Sequence, residues 1–308
     1  MTKRVFITGV AGLVGQNLVA ALSQDWEITG MDKHTHNLSV LRKLHPGLRL
    51  IEGDCAEPGA WEKEVAACDC LVMLHAQIGG PRLEEFIRNN VTATERILAT
   101  ARGGKVSYLV HVSSSVVNSA ARDFYTETKK TQENLVAACA VPHAILRPTL
   151  MFGWFDRKHL GWLKRFLEKA PLFPIPGDGR YLRQPLFAGD FAAIVAACLN
   201  RHIQGSYNIT GREKIDYIDL IRAIRDVAGL RTPLVRIPYS LFWLLLALYA
   251  LGSRNPPFTT QQLKALVTPD LFEVIDWPGI FTVRATPLRE ALSRTFLDPV
   301  YSDVSLQF

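Results

Sequence analysis

The sequence of 308 residues contains no long hydrophobic run and no block of like charge. Its longest apolar stretch, Tyr239–Leu251, would form a helix of about 20 Å, whereas the hydrocarbon core of a bilayer is roughly 30 Å thick. A membrane-spanning helix is therefore excluded on length. No five consecutive charges of one sign occur and the net charge is only +6, so the sequence does not favour a nucleic-acid-binding protein.

Cysteine is scarce and scattered, and its positions show no CxxC or Cys/His pattern of the kind that zinc requires. The sequence therefore predicts no metal site and free thiols in a reducing compartment, which makes a cytoplasmic protein the expectation. A strand begins near Lys3 without the charged and then apolar leader of a secreted protein, so no signal peptide is expected. The cysteines are Cys55, Cys68, Cys70, Cys139 and Cys198.

Apolar residues make up 48% and charged residues 21% of the chain, which is typical of a globular protein and allows one large α/β domain with a smaller lobe. In residues 1–150, short apolar runs alternate with stretches of helical periodicity, and this alternation predicts a doubly wound parallel sheet. The predicted strands are Arg4–Thr8, Glu27–Asp32, Leu48–Glu52, Leu71–Ala76, Tyr108–Val112 and His143–Arg147, with helices near 59–67, 82–102 and 124–140.

Beyond Pro148 the alternation ends, and helices mix with short strands and with prolines and glycines that are dense between 171 and 179. We therefore expect residues 151–308 to form a smaller substrate-binding lobe, with some segments returning to the sheet. Ligands of a doubly wound sheet bind beyond the carboxyl ends of its strands. The binding cleft is accordingly expected between the sheet and the lobe.

The first predicted strand runs into a glycine-rich turn, residues 8–15 with the sequence TGVAGLVG, which opens a helix. Such a turn lets the backbone approach a pyrophosphate closely, and the amide N–H groups at the helix start point at it. Its position directly after a strand predicts a dinucleotide cofactor. The residues expected to contact this cofactor are Gly9, Gly12, Leu13, Val14 and Gly15.

Carboxylates end the next two predicted strands. Asp32 can accept both hydroxyls of an adenosine ribose and would repel a 2′-phosphate, which favours NAD over NADP. Lys33 follows directly, and its positive charge would weaken the preference for NAD, so NADP is the alternative cofactor. Asp54 ends the third strand and is placed to accept from an adenine amino group, with Cys55 beside it.

Tyr125 and Lys129 are spaced i and i+4, which places both on one face of a helix. An ammonium one turn away would stabilise a phenolate and lower the pKa of the tyrosine, which could then exchange a proton with an alcohol or a carbonyl. The fifth strand ends in three serines, residues 113–115, whose hydroxyls can bond the same substrate oxygen. Taken alone, the tyrosine–lysine spacing is also that of an ordinary exposed pair on a helix.

Together these motifs resemble the extended short-chain dehydrogenase/reductase family, of the NAD-dependent epimerase/dehydratase type. The resemblance covers nearly the whole chain. It rests on the glycine-rich turn, on the serines before the YxxxK motif, and on four further segments, which are residues 75–76 (HA), 90–94 (NVTAT), 147–153 (RPTLMFG) and 175–190 (from IPGDG to GD).

The resemblance implies a Rossmann fold, a tightly held NAD or NADP, and hydride transfer at a secondary alcohol or ketone. Within it, Tyr125 is the general acid/base and Lys129 orients both Tyr125 and the nicotinamide ribose. Ser114 is the substrate-binding serine and Ser115 the second choice. The further residues implied beside the cofactor are His75, Ala76 and Pro148.

Three departures from the family pattern leave the substrate open. Tyr125 follows Ser114 by only eleven positions, so the segment that touches the sugar in nucleotide-sugar members is absent. Residues 117–119 (VNS) replace valine-tyrosine-glycine, and Leu150 stands where many such members have an asparagine. A nucleotide-linked or lipid-linked sugar is the first expectation, and a hydroxysteroid or other lipid alcohol is the alternative. A non-catalytic NAD(P)-binding scaffold or regulator is the alternative from another class.

Two other segments bear on ligands and partners. Residues 156–183 are locally basic, which indicates either a solvated helix face or a patch for an anionic ligand, with Arg183 as the candidate substrate contact. Tyr239–Leu251 is apolar on all sides, which favours a helix packed in the lobe or between two copies, with a peripheral membrane contact as the alternative. The helices near 82–102 and 124–140 resemble the dimer seam of the family, so a homodimer is also expected.

Overall fold

A seven-stranded parallel sheet forms the centre of the computed structural model, which describes residues 3–22, 25–120, 122–252, 259–268, 271–304 and 306–307. In chain order the strands are β1 (Lys3–Thr8), β2 (Trp26–Asp32), β3 (Arg49–Glu52), β4 (Cys70–Met73), β5 (Tyr108–Val112), β6 (His143–Pro148), β7 (Met151–Phe152), β8 (Phe173–Pro176), β9 (Leu182–Arg183), β10 (Leu186–Phe187), β11 (Gly205–Ile209), β12 (Ile215–Asp216) and β13 (Leu234–Ile237). The central sheet has the order β11-β6-β5-β4-β1-β2-β3, which reverses between β1 and β4 as a doubly wound sheet does.

The helices lie on both faces of this sheet and in the lobe. They are α1 (Leu13–Leu22), α2 (Thr35–Leu44), α3 (Trp61–Ala67), α4 (Leu83–Phe86), α5 (Ala93–Arg102), α6 (Phe124–Ala137), α7 (Leu160–Lys169), α8 (Ala188–Arg201), α9 (Tyr217–Val227), α10 (Tyr239–Gly252), α11 (Thr260–Val267), α12 (Trp277–Phe281) and α13 (Leu288–Leu297). A π-helical turn at Ile87–Thr92 joins α4 to α5, and a 3₁₀ turn at Ser115–Asn118 follows β5.

Alternating side chains of the strands build two cores, one on each face of the sheet. Val5 and Ile7 pack with α1 and α8, whereas Phe6 packs with α3, α5 and α6 on the other face. Because both faces are covered, the strands are continuous apolar runs rather than alternating ones. A third core, which includes Phe173, Ile221 and Leu292, joins β8, α7, α9 and α13 into the lobe.

The predicted Rossmann-type sheet is confirmed. Among residues 151–308, for which the sequence analysis leaves room for segments that return to the sheet, β11 and α8 are the ones that join it. Two details differ from expectation. β4 ends at Met73 instead of Ala76, because Leu74 and His75 turn towards Thr8 and bond it. The single helix expected across 82–102 is three pieces, since the π-helical turn interrupts it.

Helix α10 differs most from expectation. Packing of this helix in the lobe is the favoured prediction, but Leu244, Leu245 and Leu248 are 48%, 51% and 56% exposed. None of the side chains described between 239 and 250 is buried, and only Phe242, Leu246 and Ala247 are half-buried, so the lobe covers the helix only in part. Across the described ranges, every helix is too short or too polar to cross a membrane.

Candidate active site

A cleft of about 420 Å³ opens beyond the carboxyl ends of β1, β2 and β4, where the strand order reverses. Three parts of the chain form its walls: the glycine-rich turn, the segments that follow β2, β3 and β4, and residues 149–159, which lead into the lobe. Tyr125 of α6 also lines it. The cleft therefore lies between the sheet and the lobe, where the order of elements in the sequence predicts it.

The glycine-rich turn fits a pyrophosphate because its backbone leaves no room for side chains. Gly9 has a φ of +67°, and a Cβ there would lie 2.9 Å from the backbone nitrogen of His75. A Cβ on Gly15 would lie 2.3 Å from the carbonyl oxygen of Val10, so α1 starts in direct contact with the turn. The first amides of a helix have no acceptor within the helix and can bind an anion. The other cleft-lining residues of the turn are Gly12, Leu13 and Val14.

Asp32 is held at the cleft by two backbone donors. Its carboxylate accepts from the N–H groups of Ala11 and His34, both at 3.0 Å, and its side chain is nearly buried. These bonds fix the carboxylate beside the turn, as binding of a ribose would require. Lys33 also lines the cleft, but its ammonium donates to Asn89 Oδ1 at 2.9 Å.

Asp54 and Cys55 line the same end of the cleft. Partial burial alone would raise the pKa of Asp54, but the Ala56 N–H and the Arg88 guanidinium, 2.7 Å away, lower it below its ordinary value. Asp54 is thus an ionised acceptor at neutral pH. Burial raises the pKa of the Cys55 thiol to about 12, so this thiol contributes shape and no charge.

Tyr125 lies in the first turn of α6 because Asp123 caps that helix. The Asp123 carboxylate accepts from the backbone N–H of Thr126 at 2.8 Å, which starts the helix with Tyr125 facing the cleft. The Ser114 hydroxyl accepts a hydrogen bond from the Val116 N–H at 3.4 Å and is also hydrogen-bonded to the side chain of Tyr125. Burial raises the pKa of Tyr125, and the bond with Ser114 opposes that effect. The predicted serine and tyrosine are therefore in contact.

Lys129 lies one turn further along α6 and is fully buried. Its ammonium donates to the carbonyl oxygen of Val112 at 3.1 Å, at the end of β5. Burial lowers its pKa to about 7, and nearby Glu133 only partly opposes this shift. The expected lowering of the tyrosine pKa by this ammonium is absent from the structure, since burial holds the pKa of Tyr125 above its ordinary value.

A family model described as the NAD dependent epimerase/dehydratase family matches residues 5–210. The chain belongs to this family. The match confirms the resemblance drawn from the motifs, and with it the expectation of an enzyme of the extended short-chain type. It also confirms the NAD-type cofactor that the glycine-rich turn predicts.

Individual relatives differ in the chemistry that their names state. The chain is 24% identical over 237 residues to a ceramide reductase of Caulobacter vibrioides, covering 76% of this chain and 73% of that one. It is 27% identical over 264 residues to a dTDP-glucose 4,6-dehydratase of Streptomyces griseus, covering 74% and 80%. The solved structure of the Bordetella bronchiseptica enzyme WbmG in complex with NAD superposes with a TM-score of 0.74 at 18% identity, covering 100% and 98%. This last similarity shows the fold.

In this epimerase/dehydratase-family chain, His75 and Ala76 line the cleft as the motif implies. His75 bonds Thr8 Oγ1 through Nδ1 at 2.9 Å and Thr94 Oγ1 through Nε2 at 3.1 Å. Burial, followed by the charge of Lys129, lowers its pKa to about 3. His75 is therefore a neutral wall of the site and no proton carrier at physiological pH.

The π-helical turn carries a positioning residue that the motif analysis quotes without a role. Asn90 is fully buried, accepts from the Gln77 N–H at 2.6 Å and donates to Thr128 Oγ1 at 2.9 Å. It thereby ties the segment after β4 to α6, one residue from Lys129. π-Helical turns occur often at functional sites, but no periodicity in the sequence marks this one.

The segment 155–159 also lines the cleft, and all but its first residue belong to the basic stretch 156–183 that the sequence offers as either a solvated face or a patch for an anionic ligand. Asp156 is buried and accepts from the N–H groups of Lys158, His159 and Gly161, at 3.0, 2.9 and 3.0 Å. This cluster of bonds fixes the start of α7 against the cleft. The signal in the sequence was an Asp followed by a basic tripeptide, which periodicity alone does not distinguish from a loop.

Leu306 and Gln307, which we call the strap, lie beside the end of the cleft that Asp32 lines. Asn37 donates to the carbonyl oxygen of Gln307 at 2.7 Å and accepts from its N–H at 2.8 Å. Arg157 donates to the carbonyl oxygen of Leu306 at 3.1 Å. Together with Lys33 and His34, which also line the main cleft, these residues enclose a second hollow beside it.

Five predicted site residues are not part of the cleft wall, namely Ser114, Ser115, Lys129, Pro148 and Arg183. Arg183 donates to the carbonyl oxygen of Thr268 at 2.9 Å and lies over the ring of Tyr181, so its guanidinium is engaged within the lobe. Pro148 is buried where β6 ends, and Ser115 starts the 3₁₀ turn beside Ser114. Their contacts with ligand remain predictions.

Proposed function

We propose that the chain transfers hydride between NAD and a secondary alcohol or ketone, with Tyr125 exchanging the proton of the substrate oxygen. The position of Tyr125 at the wall of the glycine-loop cleft, with Ser114 hydrogen-bonded to its side chain, carries this proposal. A serine hydroxyl and a tyrosine hydroxyl that lie together can both bond the oxygen of a substrate alcohol or ketone, and the tyrosine can exchange a proton with it. A scaffold without chemistry would not need this pair.

Different residues of the chain would bind the cofactor and transfer the proton. The turn from Gly9 to Gly15 would hold the pyrophosphate of NAD and Asp32 its adenosine ribose. Bound NAD supplies the hydride acceptor or donor, while the protein orients it and controls the proton. Ser114 would donate to the substrate oxygen, and Tyr125 would take or return its proton. Lys129, whose pKa is about 7, can gain or lose a proton near neutral pH one helical turn from Tyr125.

The first substrate class that we propose is a nucleotide-linked or lipid-linked sugar, as the dehydratase relative supports. A lipid alcohol or ketone is the second candidate, because the rim of the cleft is apolar. Ile78 and Leu150 line the cleft beside Tyr125 and are 65% and 44% exposed, and Phe124 next to Tyr125 is also exposed. The ceramide reductase relative supports this second class. We propose a cytoplasmic location from the free thiols, four of which are buried.

Mass spectrometry of the protein purified under mild conditions tests the proposal, because it identifies the nucleotide and any substrate that stay bound. We expect NAD, accompanied by a nucleotide sugar or by a lipid. Turnover is then measured with UDP-glucose, dTDP-glucose, a 3β-hydroxysteroid and a long-chain ketone. NAD binding without turnover of any of the four, or of the co-purified compound, would favour the non-catalytic scaffold instead.

A further inference from the structure

Helix α10 exposes apolar side chains around most of its circumference. Successive residues of an α-helix are 100° apart, so Leu241 and Trp243 point to nearly opposite sides. They are exposed to almost the same extent, 46% and 45%. Leu244 and Leu248 lie between them on one side, and Tyr249 lies on the other, and all three are exposed as well. The helix therefore stands out from the lobe with no polar face.

A planar protein partner would cover only one side of such a helix. A lipid layer, in contrast, surrounds the part of a helix that sinks into it. The aromatic residues Tyr239, Trp243 and Tyr249 each combine an apolar ring with one polar atom, a combination that is enriched at bilayer interfaces. At about 21 Å the helix is too short to cross a bilayer, so it would lie along the surface.

The charges around α10 complement an anionic lipid surface. No acidic residue occurs between Asp226 and Asp270 in the sequence. In the same interval the structure places exposed cations on both neighbouring elements, Arg236 on β13 and Lys264 on α11, which contacts α10. The basic residues of the interval are Arg231, Arg236, Arg254 and Lys264.

The helices that resemble a dimer seam share this character only near their starts, where Leu83, Ile87 and Phe124 are exposed. Further along, their outward positions carry charged or polar side chains, such as Glu95 on α5 and Glu127 on α6. α10 is a separate element of the lobe, so contact between copies through α5 and α6 does not by itself account for its apolar surface.

We propose that α10 docks the protein along the surface of a lipid bilayer that contains anionic headgroups. The apolar side chains enter the interfacial layer, and Arg236 and Lys264 face the headgroups. This interaction is independent of the reaction proposed above and would hold for either substrate class.

Co-sedimentation of the full chain with vesicles tests the docking. Phosphatidylcholine vesicles with about one-third phosphatidylglycerol are expected to bind the protein, and pure phosphatidylcholine vesicles to bind it more weakly. Raising the salt concentration should remove that difference, because the headgroup attraction is screened. Changing Leu244, Leu245 and Leu248 together to Ser should weaken binding at least about 100-fold. The matched control changes three exposed leucines outside α10, Leu172, Leu271 and Leu297, to Ser and should bind like the wild type.

A second measurement does not depend on the folding of the triple variant. Vesicles with brominated acyl chains should quench the fluorescence of Trp243 in the wild type, and the quenching should disappear in Trp243→Phe. Failure of the wild-type protein to bind either vesicle type would overturn the proposal. So would a wild-type dimer in sedimentation that the triple variant converts to monomer without vesicles, since α10 would then be a contact between copies.

Discussion

Helices α6 and α10 have the same length, fourteen residues, and opposite surfaces. α6 buries Lys129, Gln132 and Glu133 against the sheet, whereas α10 exposes Leu244 and Leu248 to solvent. A buried charge and an exposed large apolar side chain are both unfavourable unless a partner compensates for them. On α6 the compensation is visible, since Glu133 accepts three hydrogen bonds from Arg147. On α10 the partner that we propose is a lipid surface.

This comparison shows where each half of the molecule meets its ligands. The sheet half uses internal polar bonds to fix a few reactive groups beside a cleft. The lobe half leaves apolar groups uncovered where they would meet a surface. Deviations from the ordinary distribution of polar and apolar residues therefore indicate function more clearly than the ordinary core does.

The largest expected effect separates the two helices directly. Tyr125→Phe on α6 should lower kcat by about 10²–10⁴ while NAD still binds, because only the proton path is lost. Tyr249→Phe on α10 is the matched control and should keep kcat within a factor of about three. Steady-state kinetics with whichever compound is turned over in the assays of the proposed function measures both. Equal activity of wild type and Tyr125→Phe would contradict the assignment of the proton to α6.

The next effect tests whether the cleft depends on its backbone. Gly9→Ala would strain a backbone at φ +67° and place a Cβ 2.9 Å from His75 N, so we expect NAD affinity to fall about 100-fold or the domain to lose about 1–3 kcal/mol of stability. Gly47→Ala is the control, because a Cβ there meets nothing within 4 Å. Calorimetric titration and thermal unfolding measure the two quantities. A Gly9→Ala protein that binds and unfolds like Gly47→Ala would remove the glycine-rich turn from the site.

A smaller effect concerns the choice of cofactor at the buried carboxylate. Asp32 should make NAD bind at least about tenfold more tightly than NADP, which is roughly 1.4 kcal/mol. Asp32→Ser should reduce this ratio, while Glu27→Gln at an exposed position of β2 should leave it unchanged. Titration of each protein with both dinucleotides gives the ratio. A wild-type preference for NADP would mean that Lys33 and His34 determine the pocket instead.

The last effect is a dependence of stability on pH, and it concerns the folded chain and no ligand. The pKa of Lys129 is about 7 in the folded chain and 10.5 is its ordinary value, so between these pH values the unfolded chain binds a proton that the folded chain does not. The contribution of Lys129 to the free energy of unfolding therefore rises with pH across this window, by at most about 1.4 kcal/mol per pH unit. Chemical denaturation of wild type and Lys129→Met from pH 7 to 10 should show the difference in slope. Lys130→Met, at the neighbouring and more exposed position, should follow the wild type.

The sequence predicts the sheet well because its strands are buried on both faces and separated by clear turn signals. β5 begins and ends where the sequence places it. α2 and α13 were not predicted. The sequence also did not identify β11 as a segment that returns to the sheet, because its pairing with β6 is a contact between distant residues that no local pattern encodes. Propensity also gives no sign of the π-helical turn at Ile87–Thr92.

The candidate site divides in the same way. The glycine-rich turn, Asp32 and Tyr125 are recognisable because their chemistry depends on residue type and spacing. The depressed pKa of Lys129 was not predictable, since it comes from burial under β5. Asn90 and Asp156 were missed because each acts through backbone groups that the fold brings to it.

The hydrogen bonds between Asn37 and Gln307 of the strap join residues that are 270 positions apart in the chain. Ribosomes add about 5–20 residues per second, so Gln307 is made roughly 10–60 s after Asn37. During that interval Asn37 lacks both of its hydrogen-bond partners on Gln307, and the hollow that residues 306–307 help to line has one wall missing. This wall is therefore the last part of the hollow to be made during synthesis.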